Sequence, residues 1–339
     1  MTTPLRIGII GLGYWGPNLV RNFAAVEGGQ LRVACDLDEK RFRKLPAQFP
    51  SVKFTTNPKD IFENPEIDAV AIATPVHTHY ALAKQALEAG KHVLVEKPLT
   101  ARVDHAEELI AIAGTKGLIV MVDHVFVFSP PVLKMKEIVD SGKLGKLFFI
   151  DSVRINLGLF QRDINVVWDL APHDLSIVDF LLGRLPKTLS AFGTNHTTGD
   201  IEDVAYLNLD FGDGLIANFH VNWLSPVKVR SMIIGGSEQS LIYNDLDQSE
   251  KIKVYNRGIS LQPTDEMQKR QLMVSYRSGD VWSPNIGTEE PLGRMAAHFL
   301  DCIRQGKEPV SGGTAGLRVV KILDAAQRSI KADGERVRL

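Results

Sequence analysis

Within the first 123 residues, short apolar runs alternate with stretches of helical periodicity, and this alternation constrains the fold more than any other feature of the chain. The runs Arg6–Ile10, Leu31–Cys35, Ala69–Ala73, His92–Val95 and Leu118–Val122 lack the polar–apolar alternation of a half-exposed strand. Strands that are apolar on both faces must be covered on both faces, as in a parallel sheet between two helical layers. Tyr14–Ala25, His79–Ala89 and Asp104–Lys116 supply the helices. The expectation is an α/β, doubly wound domain over residues 1–123.

From residue 124 the pattern changes. One helical stretch, Pro131–Ser141, precedes longer strand-like runs: Lys146–Arg154, Thr188–Gly193, Val204–Phe211, Leu215–Trp223, Val229–Gly235 and Ser240–Tyr243. Successive strands joined by turns such as Phe211-Gly-Asp-Gly-Leu215 predict a mostly antiparallel sheet in an α+β domain over 124–339. Helices over Arg294–Gln305 and Gly316–Ala332 close the chain. Strand residues Leu207, Leu209, Phe211, Phe219 and Trp223 are more than one helical layer obviously covers, so an open sheet face and a homodimer or homotetramer are expected. Two domains also suit 339 residues.

A formal net charge of -1 gives no electrostatic case for nucleic acid or an anionic membrane surface. The apolar runs are strand-sized, far short of a membrane span, and the N-terminus lacks a signal-peptide layout. Cys35 and Cys302 are the only cysteines, far apart and outside any C-x-x-C spacing. A reducing, cytoplasmic setting and no metal site are the expectations.

The first strand runs into Gly11-Leu12-Gly13-Tyr14-Trp15-Gly16, a helix follows, and Asp36 stands twenty positions beyond Gly16 at the end of the second strand. Glycine lets the turn tighten and the backbone approach a pyrophosphate, which the unpaired N–H groups of the helix start then receive. An acid at position 36 accepts hydrogen bonds from ribose hydroxyls and repels a 2′-phosphate, favouring NAD over NADP. A nucleotide-binding Rossmann domain is therefore expected. Asp38 is a second acid, read as a helix N-cap.

Two further motifs carry chemistry. Glu96-Lys97-Pro98 follows the strand His92–Val95, and ligands of open α/β sheets bind beyond the carboxyl ends of strands. Lys97 is either an ammonium that polarises a substrate oxygen or a solvated loop lysine. Trp168-Asp169-Leu170-Ala171-Pro172-His173-Asp174 opens a helical run, and Pro172 is read as a first-turn proline that sets His173 near the helix N-terminus. There the dipole would keep His173 neutral, as a base must be, with Asp169 four residues back to orient it. The alternative is a helix start with His173 packed half-buried. His77 and His79, after Ala73-Thr74-Pro75, suit a loop over the nicotinamide ribose better than a metal site. His124 ends a strand and lines the cleft.

In this order, GLGYWG, ATPVHTH, EKPL and D-x-x-x-H resemble the glucose–fructose oxidoreductase/inositol dehydrogenase/rhizopine catabolism (Gfo/Idh/MocA) family over essentially the whole chain. The resemblance implies Lys97 and His173 as the catalytic pair with Asp169 as partner. It also implies Thr74, Pro75, His77, Glu96 and Lys97 along the nicotinamide side, and a second domain whose sheet has one open face. The wording GYWGPNLVRNF, DHVFVFSPPV and WDLAPHD resembles the subgroup acting on nucleotide sugars for surface polysaccharides. Members similar to it oxidise the 3-hydroxyl of UDP-N-acetylglucosaminuronate with NAD. Many relatives have an arginine where this chain has Phe126-Val127-Phe128, so a contact by that arginine is not carried over. Trp168, Arg154, Asn156 and Arg162 are substrate-side candidates, the last three for a carboxylate or diphosphate, although scattered surface arginines would look the same. The implied reaction is hydride transfer between NAD and a secondary hydroxyl of a sugar. An inositol or free-sugar dehydrogenase, an NAD-dependent glycosidase and a non-catalytic dinucleotide sensor are the alternatives.

Overall fold

The computed structural model describes residues 3–158, 164–197, 199, 201–256, 258–260, 275–277 and 279–339. The chain forms two compact units, and neither is continuous in sequence. The first comprises Met1–Ser129, Leu175–Gly183 and Thr288–Asp324; the second comprises Pro130–Asp174, Arg184–Gly287 and Ala325–Leu339. A single cut after residue 123 would assign both closing helices to the second domain, whereas Thr288–Asp324 belongs to the first unit.

The first unit holds strands β1 (Leu5–Ile10), β2 (Gly29–Cys35), β3 (Lys53–Thr55), β4 (Ala69–Ile72), β5 (His92–Glu96) and β6 (Val120–Asp123). They form a six-stranded parallel sheet in the order β3-β2-β1-β4-β5-β6. Only β3 is absent from the sequence expectation, because three residues, one of them lysine, carry no apolar run. Helices α1 (Gly16–Ala25), α2 (Leu45–Gln48), α3 (Lys59–Phe62), α4 (Val76–Glu88) and α5 (Val103–Lys116) connect the strands. Strand order reverses between β1 and β4, the switch point where such sheets open a crevice.

Four further helices follow in the chain: α6 (Pro130–Asp140), α7 (Val166–Leu182), α8 (Pro291–Gln305) and α9 (Gly313–Lys331). The apolar stripe of α8 explains its membership of the first unit. Leu292, Met295, Ala296, Phe299 and Leu300 are buried in one core with Leu19, Val20 and Phe23 of α1, and Phe299 meets Phe23 edge-on at 6.4 Å between ring centres.

The second unit is built on β7 (Leu147–Leu157), β8 (Thr188–Thr194), β9 (Val204–Asp210), β10 (Ile216–Asn222), β11 (Leu224–Gly236), β12 (Ser240–Asn244) and β13 (Ile252–Tyr255). Short strands β14 (Gly258–Ser260) and β15 (Ser275–Arg277) pair with each other. β16 (Val281–Trp282) and β17 (Val337–Arg338) complete the large sheet at its two edges. Its order is β16-β13-β12-β11-β7-β10-β9-β8-β17. Every pair is antiparallel except β7 with β10.

One expectation about this sheet is corrected. Leu207, Leu209, Phe211, Phe219 and Trp223 are all buried, so they are the inner core and not a surplus awaiting a partner. Strand alternation puts different residues on the other face: Phe192, Tyr206, Ile216 and Phe149 are exposed, and Tyr206 stacks on His220 at 4.3 Å. Counting apolar residues along a strand does not separate its two faces; their parity does.

Candidate active site

The glycine loop is shaped by close backbone approach. Gly11 has φ +97°, and a Cβ there would lie 2.4 Å from the Ala73 carbonyl oxygen. A Cβ on Gly16 would lie 2.1 Å from the Gly11 carbonyl oxygen. At Gly13 the only neighbour of such an atom is Arg41 Nη1 at 3.2 Å, so this glycine keeps space open beside the start of α1. No side chain caps α1; its first N–H groups suit a pyrophosphate, and the loop fits the dinucleotide expected of it. Tyr14 is exposed, whereas the Trp15 indole N–H turns inward and donates to Asp123 Oδ2 at 2.9 Å.

Asp36 is built into this loop. Its Oδ2 accepts from the Leu12 N–H at 2.7 Å and its Oδ1 from the Asp38 N–H at 2.9 Å. Asp38 in turn accepts from Lys40 N–H, capping a short 3₁₀ turn as expected. Arg41 lies 3.8 Å from Asp36.

Beyond the carboxyl ends of β4, β5 and β6 the remaining first-unit candidates come together. Thr74 accepts a hydroxyl hydrogen bond from Thr78 at 2.7 Å, and Pro75 precedes α4. His77 is exposed on the first turn of α4. His79 is buried, with Nε2 2.8 Å from the Thr74 carbonyl and Nδ1 2.9 Å from the Pro98 carbonyl. Burial lowers its pKa, so the neutral ring donates to one carbonyl at a time. It ties the Thr74 loop to the cis Lys97–Pro98 peptide.

Glu96 and Lys97 follow at the end of β5, half-buried. Glu96 pairs in register with Asp123 on β6. Burial, then the neighbouring Asp123 charge, pushes the Glu96 carboxyl well above the usual range. Burial also raises Asp123, against the opposing effect of the Trp15 hydrogen bond. His124 is buried, and burial with the nearby Lys97 charge pulls its imidazole down to about 3. A buried His124 does not line an open cleft; it backs the strand ends from within.

In the second unit the helix containing His173 differs from expectation. α7 begins at Val166, and Pro172 lies inside it. Asn165 sets the start: its Oδ1 accepts from the Trp168 N–H at 3.0 Å, as an N-cap does. His173 is therefore two turns into the helix, and neutrality from a helix N-terminus does not apply to it. Asp169 and His173, four apart, share a helical face. Asp169 Oδ2 accepts from the Trp223 indole N–H at 3.1 Å.

Arg154 is not a surface residue. It is buried and holds Asp174 through two hydrogen bonds, Nε to Oδ2 at 3.0 Å and Nη2 to Oδ1 at 2.6 Å. This forked pair commits the guanidinium to joining β7 to α7. Asn156, on the same face of β7, and Trp168 are half-buried, and Arg162 lies outside the described residues.

The model of the oxidoreductase family with an NAD-binding Rossmann fold matches residues 5–124, and the GFO/IDH/MocA C-terminal domain matches residues 132–242. An uncharacterised oxidoreductase of Escherichia coli is 31% identical over 268 residues, 75% of either chain. The chain belongs to the Gfo/Idh/MocA family. Within this family it is similar to a UDP-N-acetylglucosamine 3-dehydrogenase of Acidithiobacillus ferrooxidans, 27% identical over 93% of this chain and 94% of that one. A solved structure of that name and organism superposes with a TM-score of 0.82 at 24% identity, covering 98% of this chain and 99% of that chain. It is also similar to a scyllo-inositol 2-dehydrogenase (NAD(+)) of Bacillus subtilis, 25% identical over 91% of this chain and 89% of that one. This Gfo/Idh/MocA member is an NAD-dependent dehydrogenase with a parallel Rossmann domain and a mostly antiparallel second sheet. Among the described residues, no helix is long and apolar enough to cross a membrane.

Two residues of structural consequence are not among the sequence candidates. Asp123 directly follows an apolar strand run, the same signal that singled out Asp36. Asn165 stands three before Trp168 in a stretch with capping chemistry. His79 is named in the sequence as part of the ribose loop, but its role in tying two loops together carries no local signal, because its carbonyl partners Thr74 and Pro98 come from separate loops.

Proposed function

We propose that this dehydrogenase oxidises a secondary hydroxyl of a nucleotide sugar, as a 3-dehydrogenase of a UDP-N-acetylglucosaminuronate-like substrate serving surface polysaccharide synthesis in the cytoplasm. The observation that carries the reading is the near full-length similarity to a UDP-N-acetylglucosamine 3-dehydrogenase, together with Lys97 at the carboxyl end of β5 in a dinucleotide-binding unit. When bound, NAD supplies the hydride acceptor. Gly11, Gly13, Tyr14, Trp15, Gly16 and Asp36 hold its adenosine and pyrophosphate end. Thr74, Pro75, His77, Glu96 and Lys97 line its nicotinamide side, with His124 behind them.

His173 takes the hydroxyl proton as the carbinol C–H leaves as hydride. Asp169, one turn earlier, stabilises the imidazolium that forms, while Lys97 donates a hydrogen bond to the developing alkoxide. Asn156 and Trp168 contact the sugar, and Arg154 acts on them through Asp174 and the β7 backbone. A second reading, a polyol dehydrogenase, is favoured by the similarity to the inositol enzyme. A panel of UDP-sugars and inositols followed by NADH absorbance, with the oxidised carbon located by NMR, separates the two. Turnover of inositol with none of any UDP-sugar overturns the first reading.

The open sheet face bearing Phe149, Phe192, Tyr206 and Ile216 is assigned to a homodimer or homotetramer. Light scattering at low micromolar concentration checks this, and a monomer refutes it.

A further inference from the structure

The parallel strands β5 and β6 stop at the same level, so Glu96 and Asp123 stand side by side as register partners. Their carboxyl groups are close enough for each to act on the other's ionisation. Two adjacent carboxyl groups can hydrogen-bond to each other only when a proton lies between them. The surroundings are unequal. Asp123 is buried and its Oδ2 receives the Trp15 indole N–H at 2.9 Å, a hydrogen bond that favours its charged form. Glu96 Oε2 and Asp123 Oδ1 are shut off from solvent with no hydrogen-bond partner among the described residues, and a shared proton would satisfy both. Around the pair, β5 contributes Lys97, β6 contributes the neutral His124, and α4 contributes His79, whose ring is near enough to Lys97 and His77 for their charges to act on it.

We propose that Glu96 and Asp123 share one proton at neutral pH, that the remaining negative charge rests on Asp123 under the Trp15 indole, and that this single charge positions the Lys97 ammonium for the substrate oxygen. Asp123 is then a positioning residue acting through Glu96. One charge matches one ammonium. Two would repel each other in this buried position and draw Lys97 away from the substrate, and none would leave a cation without a counter-charge. Trp15 links the arrangement to the phosphate loop, since it sits between Gly13 and the first turn of α1.

The proposal rests on Lys97 acting on the substrate oxygen, and the test separates the two claims. Infrared difference spectra of the full chain at neutral pH should show a protonated carboxylic acid band that Glu96→Gln abolishes. Asp123→Asn should abolish it too, because Glu96 then ionises beside Lys97. Each single variant keeps one negative charge and should lose roughly tenfold in kcat or less. The double variant has none; it should lose more than the product of the singles, roughly 10²–10³-fold. Its kcat should also fall at lower pH on the alkaline side. Should the double variant not fold, the band in the two singles decides. Absence of the band, or a double variant no worse than the product, overturns the proposal. Normal turnover by Lys97→Ala with the band intact would instead show that the reading of Lys97 had failed, and the positioning role falls with it.

Discussion

The carboxyl ends of β4, β5 and β6 and the first half of α7 present chemistry in opposite ways. At the strand ends each functional side chain sits where a strand stops, so its position follows from a local pattern: apolar run, then polar residue. Glu96, Lys97, Asp123 and His124 all obey it. On α7 the candidates Trp168, Asp169 and His173 lie within a helix of 17 residues, and their position depends on where that helix starts. Pro172 pointed to a start near residue 171, but Asn165 starts it six residues earlier. Pro172 therefore costs the helix one hydrogen bond, to the Trp168 carbonyl, in its interior. Strand-end chemistry can be read locally. Helix-borne chemistry needs the cap first.

The largest effect expected from breaking either region is catalytic. Lys97→Ala and His173→Ala should each lower kcat by roughly 10²–10⁴-fold while leaving NADH affinity nearly intact. If both act on one substrate oxygen, the double variant loses much less than the product of the two. The readouts are kcat on the best panel substrate and NADH Kd by fluorescence. Near-normal turnover in His173→Ala would remove it from the chemistry and leave only the strand-end region functional.

A smaller effect probes the strand-end region by pH. His124 stays neutral in the folded state down to about pH 3, whereas in the unfolded chain an imidazole takes its proton near about 6.5. Between these values the unfolded state binds the extra proton, so stability present above about pH 6.5 is lost as pH falls. Glu96 acts in the opposite sense: its raised value contributes stability below the unfolded carboxyl range and loses it as pH rises. The histidine contribution is isolated by comparison with His124→Leu. Urea unfolding at about pH 7 and about pH 4.5 should show the unaltered chain losing about 2 kcal/mol more than the variant. Equal losses would mean that His124 is protonated in the fold.

How much was legible follows from the same contrast. Five of the six parallel strands were marked by apolar runs, and β3 was not, since Lys53–Thr55 has nothing to bury on both faces. The phosphate loop and Asp36 were legible as residues, but not the use of Asp36 to hold the Leu12 N–H. Arg154 was misread because a buried ion pair and a surface arginine look alike in sequence; its partner Asp174 is twenty positions away on another element. The same holds for α8, whose stripe was visible while the core that receives it was not. Long-range pairing, not local propensity, is what the chain does not spell out.

The smallest expected effect tests the helix start itself. Asn165 does two jobs: Oδ1 caps α7 at the Trp168 N–H, and Nδ2 donates to Glu202 Oε2 at 2.7 Å and Gln327 Oε1 at 2.6 Å. Asn165→Ala removes both, so its cost alone would not isolate the cap. Asn165→Ser keeps a capping oxygen but cannot reproduce the amide donor, so the difference between Ser and Ala is the cap, expected at about 1 kcal/mol. Urea unfolding of the three proteins gives that difference. Because the cap fixes where the first turn begins, it also fixes the face on which Asp169 and His173 sit. The Ala variant should therefore lose some kcat that Ser retains. Equal stability and equal turnover in Ser and Ala would mean that the helix does not depend on Asn165, and a start nearer Pro172, with His173 close to the N-terminus, would again be the better account.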